Sequence, residues 1–329
     1  MLPPIVRLAG YLKSPIHDYQ PYLVGHLSPN LNVNGGGARR IQTEKNQDEF
    51  LIEFSRNQRL RKSHMIKNRV VEAAKEGRPS FGVYVFSGSP KMIEILGFAG
   101  LDYVRIDMES AFNNPETVHR MITTAHAVGI TPLVRIPESI DGQIDDNLIH
   151  RVLNMGALGI VLPRARSREQ VERAVQAVKG PPIGERHVTT GGFTGGLGRE
   201  NAEEHLKWAN ENVILSIQVE TKSAIDSIEE IASIPGLDMV QSGRGDLSYE
   251  YGVPGEQYHP LVLEAEEKMI AAGLNAGKLV SVQYYPLKDE SQIPKIQNFV
   301  DRGVHSLNLG IDLDVVNVWR SLLKDISTR

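Results

Sequence analysis

The amino-acid sequence predicts a single α/β domain, a (β/α)₈ TIM barrel, preceded by an irregular N-terminal extension. Short apolar runs alternate with longer amphipathic segments of helical period through most of the chain. This alternation is typical of βα units that surround a parallel sheet. Eight such runs can be counted, which is the strand number of the closed barrel. The first predicted turn, at residues 86–90, reads FSGSP and lacks the G-x-G-x-x-G pattern of an open dinucleotide-binding sheet.

The N-terminal segment differs from the remainder of the chain. Prolines recur near the start, a run of three glycines follows a stretch rich in asparagine, and no period of 2 or 3.6 is sustained before Asp48. A basic helical segment is expected from Asp48 to Glu76, ending at Gly77. We therefore expect residues 1–62 to form an irregular basic extension and residues 63–329 to form the barrel domain.

Each strand candidate is an apolar run rich in β-branched side chains. The eight candidates are residues 81–86, 103–107, 131–136, 158–163, 213–219, 238–242, 278–283 and 304–309. Helix candidates lie between and after them. Segments 116–128 and 222–233 place apolar residues at i, i+3 and i+4 spacing, which gives each one apolar face.

Composition limits the classes of protein to which the chain can belong. Its 41% hydrophobic and 23% charged residues are typical of a globular protein with a sizeable core, and its net charge of −4 gives no nucleic-acid footprint. The absence of cysteine excludes disulfides and thiolate metal sites and fits a reducing compartment. The longest apolar runs are strand-length, far below the ~20 residues of a membrane span. We therefore expect a cytoplasmic protein without nucleic-acid or membrane partners.

Polar side chains follow four of the predicted strands at their carboxyl ends, where barrel enzymes place their catalytic groups. They are Asp107 and Glu109 after the second strand, Arg135 at the third, Gln218 and Glu220 at the fifth, and Asp246 after the sixth. Gln218 and Glu220 are two residues apart, so both side chains project from one face of a strand. The carboxylates of Glu220 and Asp246 suit a hard cation with oxygen ligands and open water positions, such as Mg²⁺, Mn²⁺ or Co²⁺.

Each of these residues also has a purely structural interpretation. Asp107 and Glu109 could cap a helix or pair with surface lysines, and Arg135 could form an ion pair with Glu109 or Glu138. Glu220 could belong to the first turn of the following helix, favoured by its dipole. Asp246 could be an N-cap residue. These alternatives stay open on the sequence alone.

Taken together, four motifs resemble the HpcH/HpaI aldolase family of metal-dependent pyruvate aldolases, to which macrophomate synthase is related. The motifs are Asp107-x-Glu109, Val134-Arg135-Ile136-Pro137, Ile217-Gln218-Val219-Glu220 and Gly243-x-Gly245-Asp246-Leu247-Ser248. The resemblance covers roughly residues 66–326. It implies a barrel of the phosphoenolpyruvate/pyruvate type and a homo-oligomer, a hexamer or an assembly based on dimers, with the last helix exchanged between subunits.

The resemblance also implies roles for individual residues. Glu220 and Asp246 match the metal-binding carboxylates, with Gln218 beside the metal. Arg135 matches the arginine that contacts the keto oxygen of pyruvate and stabilises its enolate. The backbone amides of Gly245 and Asp246 match those that hold the pyruvate carboxylate. Asp107 matches an aspartate that reaches the active site of a neighbouring subunit.

Ser110 departs from the family pattern. Members usually carry histidine at this position, as part of their proton-transfer machinery, and a serine hydroxyl has too high a pKa to replace it as a base near neutral pH. Ser110 is therefore expected only to contact substrate, and proton transfer is expected to involve the carboxylates of Asp107 or Glu109. We call the carboxyl-terminal end of the barrel, where the predicted site residues lie, the mouth. Among the histidines, only His187, in a glycine-rich loop, is a candidate to reach it.

The sequence thus predicts a metal-dependent carbon–carbon lyase that cleaves or forms a 2-oxo acid through a pyruvate enolate. A Schiff-base route is less well supported, because Lys222 and Lys288 lie beyond strand ends and Lys278 lies at a strand start. Two alternatives are kept. One is a lyase or decarboxylase that acts on oxaloacetate or citrate-like acids, and the other is a non-catalytic barrel that binds 2-oxo acids.

Overall fold

The computed structural model describes residues 66–138, 143–284 and 290–327, and within them eight parallel strands close into a barrel in chain order. Each strand pairs with its successor, and the first pairs with the last. The predicted (β/α)₈ barrel is therefore confirmed. The strands are β1 (Ser80–Val85), β2 (Tyr103–Asp107), β3 (Thr131–Arg135), β4 (Gly159–Leu162), β5 (Ile214–Val219), β6 (Met239–Ser242), β7 (Leu279–Gln283) and β8 (Ser306–Ile311).

The helices of the described residues cover the outside and the ends of the barrel. They are α1 (Arg69–Lys75), α2 (Pro90–Phe98), α3 (Pro115–Ala127), α4 (Asp146–Asn154), α5 (Arg168–Val178), α6 (Ala202–Asn212), α7 (Lys222–Asp226), α8 (Ile228–Ala232), α9 (Arg244–Glu250), α10 (Pro260–Asn275), α11 (Ile293–Asp301) and α12 (Val315–Ser327). None of the helices in the described ranges is long and apolar enough to cross a membrane.

All eight predicted strands overlap the observed ones, and no strand bound differs by more than two residues. The predicted helix 222–233 is in fact two short helices, α7 and α8, which meet at Ser227. The Ser227 hydroxyl donates to the Ser223 carbonyl, and this local bond competes with a continuous helix. Of the helix expected from Asp48 to Glu76, only α1 is described. The predicted extension 1–62 lies outside the described residues.

Helix α1 packs against the amino-terminal end of the barrel. The Asn68 side chain caps the helix at Val70 N, and its amide donates to the carbonyls of Leu158 and Asn212. Val70 joins a small buried cluster inside the barrel, formed with Tyr103, Leu133, Val161, Ile214 and Met239. These side chains fill the part of the barrel interior that lies nearest the amino-terminal ends of the strands.

The glycine-rich loop after α5 also lies at the amino-terminal end. Phe193 stacks on His126 in the last turn of α3, with ring centroids 4.6 Å apart, and its N–H donates to the carbonyl of Asn154, the last residue of α4. Helices α3 and α4 end just before β3 and β4 begin, so their last residues lie at the amino-terminal end of the barrel. His187 is exposed in this loop. The prediction that His187 could reach the mouth is therefore wrong, because its loop follows the helix back to the opposite end.

Candidate active site

A buried ion pair joins β2 to β3 at the carboxyl-terminal end of the barrel. Asp107 and Arg135 are register partners across the two strands, and Arg135 Nε lies 2.5 Å from Asp107 Oδ1. Arg135 Nη1 also lies 2.7 Å from Glu109 Oε2. The strand order thus brings three of the predicted site residues together. It also confirms the expected pairing of Arg135 with Glu109.

Asp107 is fully enclosed within its own subunit. Besides Arg135, its carboxylate accepts hydrogen bonds from the backbone N–H groups of Glu109, Ser110 and Ala111, at 3.3, 2.9 and 2.7 Å. These bonds fold the chain after β2 over the carboxylate. Both carboxylate oxygens of Asp107 are engaged within the chain, and its approach to the active site of a neighbouring subunit stays a prediction. The Asp107 carboxylate caps the loop after β2 and not a helix, because α3 begins later and has Asn114 as its N-cap.

The Arg135 guanidinium is held on several sides. Its Cζ atom lies 4.9 Å from the ring centroid of Tyr84 and 5.7 Å from that of Phe86. Burial lowers its pKa, but Tyr84 and the two carboxylates outweigh that effect and raise it, so the group stays charged. Its remaining contacts are loose: Nη1 to Gln218 Oε1 at 3.4 Å and Nη2 to Ser110 Oγ at 3.3 Å. These two donors can therefore be transferred to the oxygen of a ligand.

Glu109 is a carboxylate at this mouth with a pKa raised toward neutral pH. Burial raises its pKa to about 7, against the opposing charge of Arg135. The negative charges of Asp107 and Asp246 raise it further. Glu109 can therefore accept a proton near pH 7, which is the property that a general base requires.

Glu220 lies deep in the mouth at the end of β5. Its Oε1 accepts the backbone N–H of Arg164 at 2.8 Å, and its Oε2 accepts the Gln218 amide at 3.3 Å. A Cβ atom added at Gly243 would lie only 2.4 Å from Oε2, so glycine is required there. Burial raises the Glu220 pKa, and the charge of Asp246 raises it further. Glu220 precedes α7, whose N-cap is Thr221, so the interpretation as a first-turn helix residue is wrong.

Asp246 stands in the first turn of α9, with its side chain half exposed at the mouth. The N-cap of α9 is Gly243, so Asp246 does not cap the helix. The backbone N–H groups of Gly245 and Asp246 belong to the first turn, where no intrahelical acceptor is available. The nearest heavy atom to a Cβ built at Gly245 is Gln257 Nε2, at 3.9 Å. Both amides can therefore meet a carboxylate that enters the mouth.

The start of α9 is anchored by Arg244, which sequence reasoning did not single out. Arg244 and Glu266 are both buried, with Nε 3.2 Å from Oε1, and Glu266 also accepts the Ser242 hydroxyl at 2.5 Å. The guanidinium donates to the Gln283 carbonyl as well. This buried ion pair fixes the position of the amides at Gly245 and Asp246.

Glu220 and Asp246 are the two carboxylates predicted to hold a divalent cation, and each feels the charge of the other. Among the residues that the structure describes, no three or more His, Cys, Asp or Glu side chains converge on one point. The negative charge of Asp246 disfavours ionisation of Glu220 and so raises the pKa of Glu220, an effect that a nearby cation would oppose. An all-oxygen site with few protein ligands is typical of Mg²⁺, which keeps several of its waters.

A second arginine, Arg164, crosses the mouth and was also missed from the sequence. It follows β4 with φ of +43°, an uncommon conformation for a residue that carries a Cβ. Its guanidinium contacts Glu138, Asp246 and Glu250, at 3.2, 3.8 and 3.4 Å. Glu138 therefore pairs with Arg164, and not with Arg135 as one alternative held. The sequence signal that could have identified Arg164 was the pair of arginines at positions 164 and 166, directly after a predicted strand.

Known proteins share both the sequence and the fold. The model of the HpcH/HpaI aldolase/citrate lyase family matches residues 80–317. The 2-keto-3-deoxy-L-rhamnonate aldolase of Escherichia coli (strain K12) is 31% identical over 255 residues, which cover 76% of this chain and 92% of that protein.

Two solved structures superpose on most of this chain. An HpcH/HpaI aldolase from Desulfitobacterium hafniense DCB-2 superposes with a TM-score of 0.70 at 27% identity, over 78% of this chain and 95% of that one. Citrate synthase SbnG superposes with a TM-score of 0.66 at 29% identity, over 78% and 96%. The chain is a carbon–carbon lyase and belongs to the HpcH/HpaI aldolase/citrate lyase family.

Proposed function

We propose that this lyase is a metal-dependent aldolase that cleaves or forms a 2-oxo acid through a pyruvate enolate. The observation that carries the proposal is the fixed guanidinium of Arg135, which lies beside Gln218 at the carboxyl-terminal end of the barrel. Aldol chemistry on pyruvate places negative charge on the C2 oxygen. A preorganised donor directed at that oxygen stabilises the enolate more than the ketone.

The predicted site residues then have the following roles. Arg135 exchanges its loose bonds to Gln218 and Ser110 for the keto oxygen of the substrate. The amides of Gly245 and Asp246 bind the substrate carboxylate at the positive end of α9. Glu220 and Asp246 would hold Mg²⁺, Mn²⁺ or Co²⁺, which supplies Lewis-acid stabilisation of the developing negative charge when bound.

Proton transfer is assigned to Glu109. Ser110 cannot act as the base, but its hydroxyl contacts the same guanidinium as Glu109 does. Glu109 stands one residue away, with a pKa of about 7. Asp107 is committed to Arg135 and three backbone amides. Asp107 is therefore a positioning residue, and Glu109 takes the proton.

The metal site is tested by direct binding. Glu220→Gln and Asp246→Asn should each weaken Mn²⁺ binding at least ~10-fold, because each removes one of two charged ligands. Calorimetry or electron paramagnetic resonance measures the affinity, and parallel titrations with Mg²⁺ and Co²⁺ rank the three ions. Glu256→Gln, on an exposed loop, is the control and should bind as the parent does. Parent-like Mn²⁺ binding by both site variants would place the metal elsewhere.

The role of Arg135 is tested by kinetics. Arg135→Ala should lower kcat/KM for pyruvate release by about 10²–10³, the usual effect of losing one preorganised donor. Arg135→Lys should recover little, because a point charge does not reproduce the planar fork. Arg166→Ala is the matched control, since Arg166 is at the same mouth but pairs with Glu138. A value for Arg135→Ala within threefold of the parent contradicts the role.

The substrates for that assay are a panel of 4-hydroxy-2-oxo acids together with oxaloacetate. Release of pyruvate from the hydroxy acids supports the aldolase. Turnover of oxaloacetate or citrate-like acids alone would favour the second kind of lyase. Saturable binding without any turnover would favour a non-catalytic barrel.

The proton-transfer assignment is tested by exchange of the pyruvate methyl protons with D₂O. Exchange should be slow in the parent and should rise between pH 6 and pH 8, because Glu109 acts as a base only after it loses the proton that its pKa of about 7 retains at lower pH. Glu109→Gln should abolish this rise. Ser110→His should exchange at least ~10-fold faster, a modest part of the factor of about 10²–10⁴ typical of general bases. An unchanged pH profile in Glu109→Gln would assign the base to another group.

The proposed enzyme is a homo-oligomer, a hexamer or an assembly of dimers, in the cytoplasm. Support for association comes from α12, which exposes a row of large apolar side chains on its surface. They are Val315, Val316, Val318, Trp319 and Leu323, each at least 42% exposed. A second copy of the chain is the proposed cover for this surface.

Light scattering of the full chain tests the association. Trp319→Glu should lower the measured mass, because a charge in a buried apolar contact is unfavourable. Phe98→Glu is the control, since Phe98 is 80% exposed at the end of α2 and is not one of these α12 side chains. A parent that is monomeric at micromolar concentration contradicts the assembly.

A further inference from the structure

Arg164 is a charged residue at the mouth that the proposed reaction does not use. It is three-quarters buried, since only 22% of its side chain is exposed. Its φ of +43° is unfavourable for any residue except glycine, so the surrounding contacts must hold it there. Backbone conformations of this kind concentrate at functional sites.

Arg164 contacts both proposed metal ligands, by different groups. Its backbone N–H donates to Glu220 Oε1 at 2.8 Å, and its Nη1 lies 3.8 Å from Asp246 Oδ1. The side chain has two further acidic partners, Glu138 at 3.2 Å and Glu250 at 3.4 Å. The guanidinium can therefore leave Asp246 and still be neutralised.

Two other arginines of the mouth form ion pairs with carboxylates other than Asp246. Arg135 is held by Asp107 and Glu109, and Arg166 pairs with Glu138. Within residues 66–138, 143–284 and 290–327, Arg164 is the one basic side chain in an ion pair with Asp246. Without a metal, Asp246 relies on this cation for its compensation.

We propose that Arg164 is an internal counter-ion of the Glu220–Asp246 carboxylate pair, which stabilises the metal-free protein and weakens its affinity for a divalent cation. A guanidinium and a metal ion that share Asp246 repel each other, so the side chain turns to Glu138 and Glu250 when the ion binds. The backbone N–H keeps Glu220 oriented in both states. This inference rests on the proposed metal site.

The test compares variants that differ in charge at one position. Arg164→Met and Arg164→Gln remove the charge, Arg164→Lys keeps it, and all three retain a Cβ, so none adds backbone strain. Arg166→Met is the matched control, because it removes a neighbouring charge that does not contact Asp246. Each protein is titrated with Mn²⁺ at low and at high ionic strength. Thermal unfolding is followed with EDTA and with saturating Mn²⁺.

We expect Arg164→Met and Arg164→Gln to bind Mn²⁺ about three- to tenfold more tightly than the parent, with a smaller difference at high salt. Their Tm should fall in EDTA and should recover with Mn²⁺ more than that of the parent. Arg164→Lys and Arg166→Met should both stay within twofold of the parent affinity.

Equal affinities in the parent and both neutral variants would overturn the inference while the metal site stands. Weaker binding in the neutral variants would also overturn it, because Arg164 would then help to hold the ligands. If the parent itself binds no Mn²⁺, the proposed metal site fails first, and the counter-ion role fails with it.

Discussion

The ion pair between Asp107 and Arg135 organises the carboxyl-terminal end of the barrel. The two residues are register partners on adjacent strands, so closure of the sheet brings them together. A buried guanidinium is tolerated only when its charge is compensated and its donors are satisfied. Asp107 meets that need while it accepts three backbone N–H groups from the residues after β2. The same carboxylate therefore positions the arginine, Glu109 and Ser110 at once.

The charges of the mouth fall into two groups of different strength. Around Arg135, the contacts to Asp107 and Glu109 are 2.5 and 2.7 Å long and mostly buried. Around Glu220 and Asp246, the ion pair within the described residues joins Arg164 to a half-exposed Asp246 over 3.8 Å. A short, buried ion pair resists rearrangement, whereas a long, hydrated one exchanges partners readily. The first group is thus a fixed binding element, and the second is open to an incoming cation.

Most of the fold and part of the site could be predicted from the sequence, because both depend on local patterns. Apolar runs identified all eight strands, and the barrel topology then placed Asp107, Arg135, Gln218 and Glu220 at one end. Arg164 was missed because its contacts are made with residues distant in the sequence: Glu138 after β3, Glu220 after β5, and Asp246 and Glu250 on α9. His187 was misplaced because a loop composition does not reveal to which end of a barrel the loop returns.

The close approach of Gly243 to Glu220 restricts how this protein can be redesigned. A library that varies the loop between β6 and α9 to change the accepted substrate must keep Gly243 unchanged, because any larger residue would displace the carboxylate by collision. Gly245, two positions along, has open space around it and can carry diversity. Neighbouring glycines in one short motif therefore differ in mutability, and an engineer who treats the motif as a unit would discard the useful position.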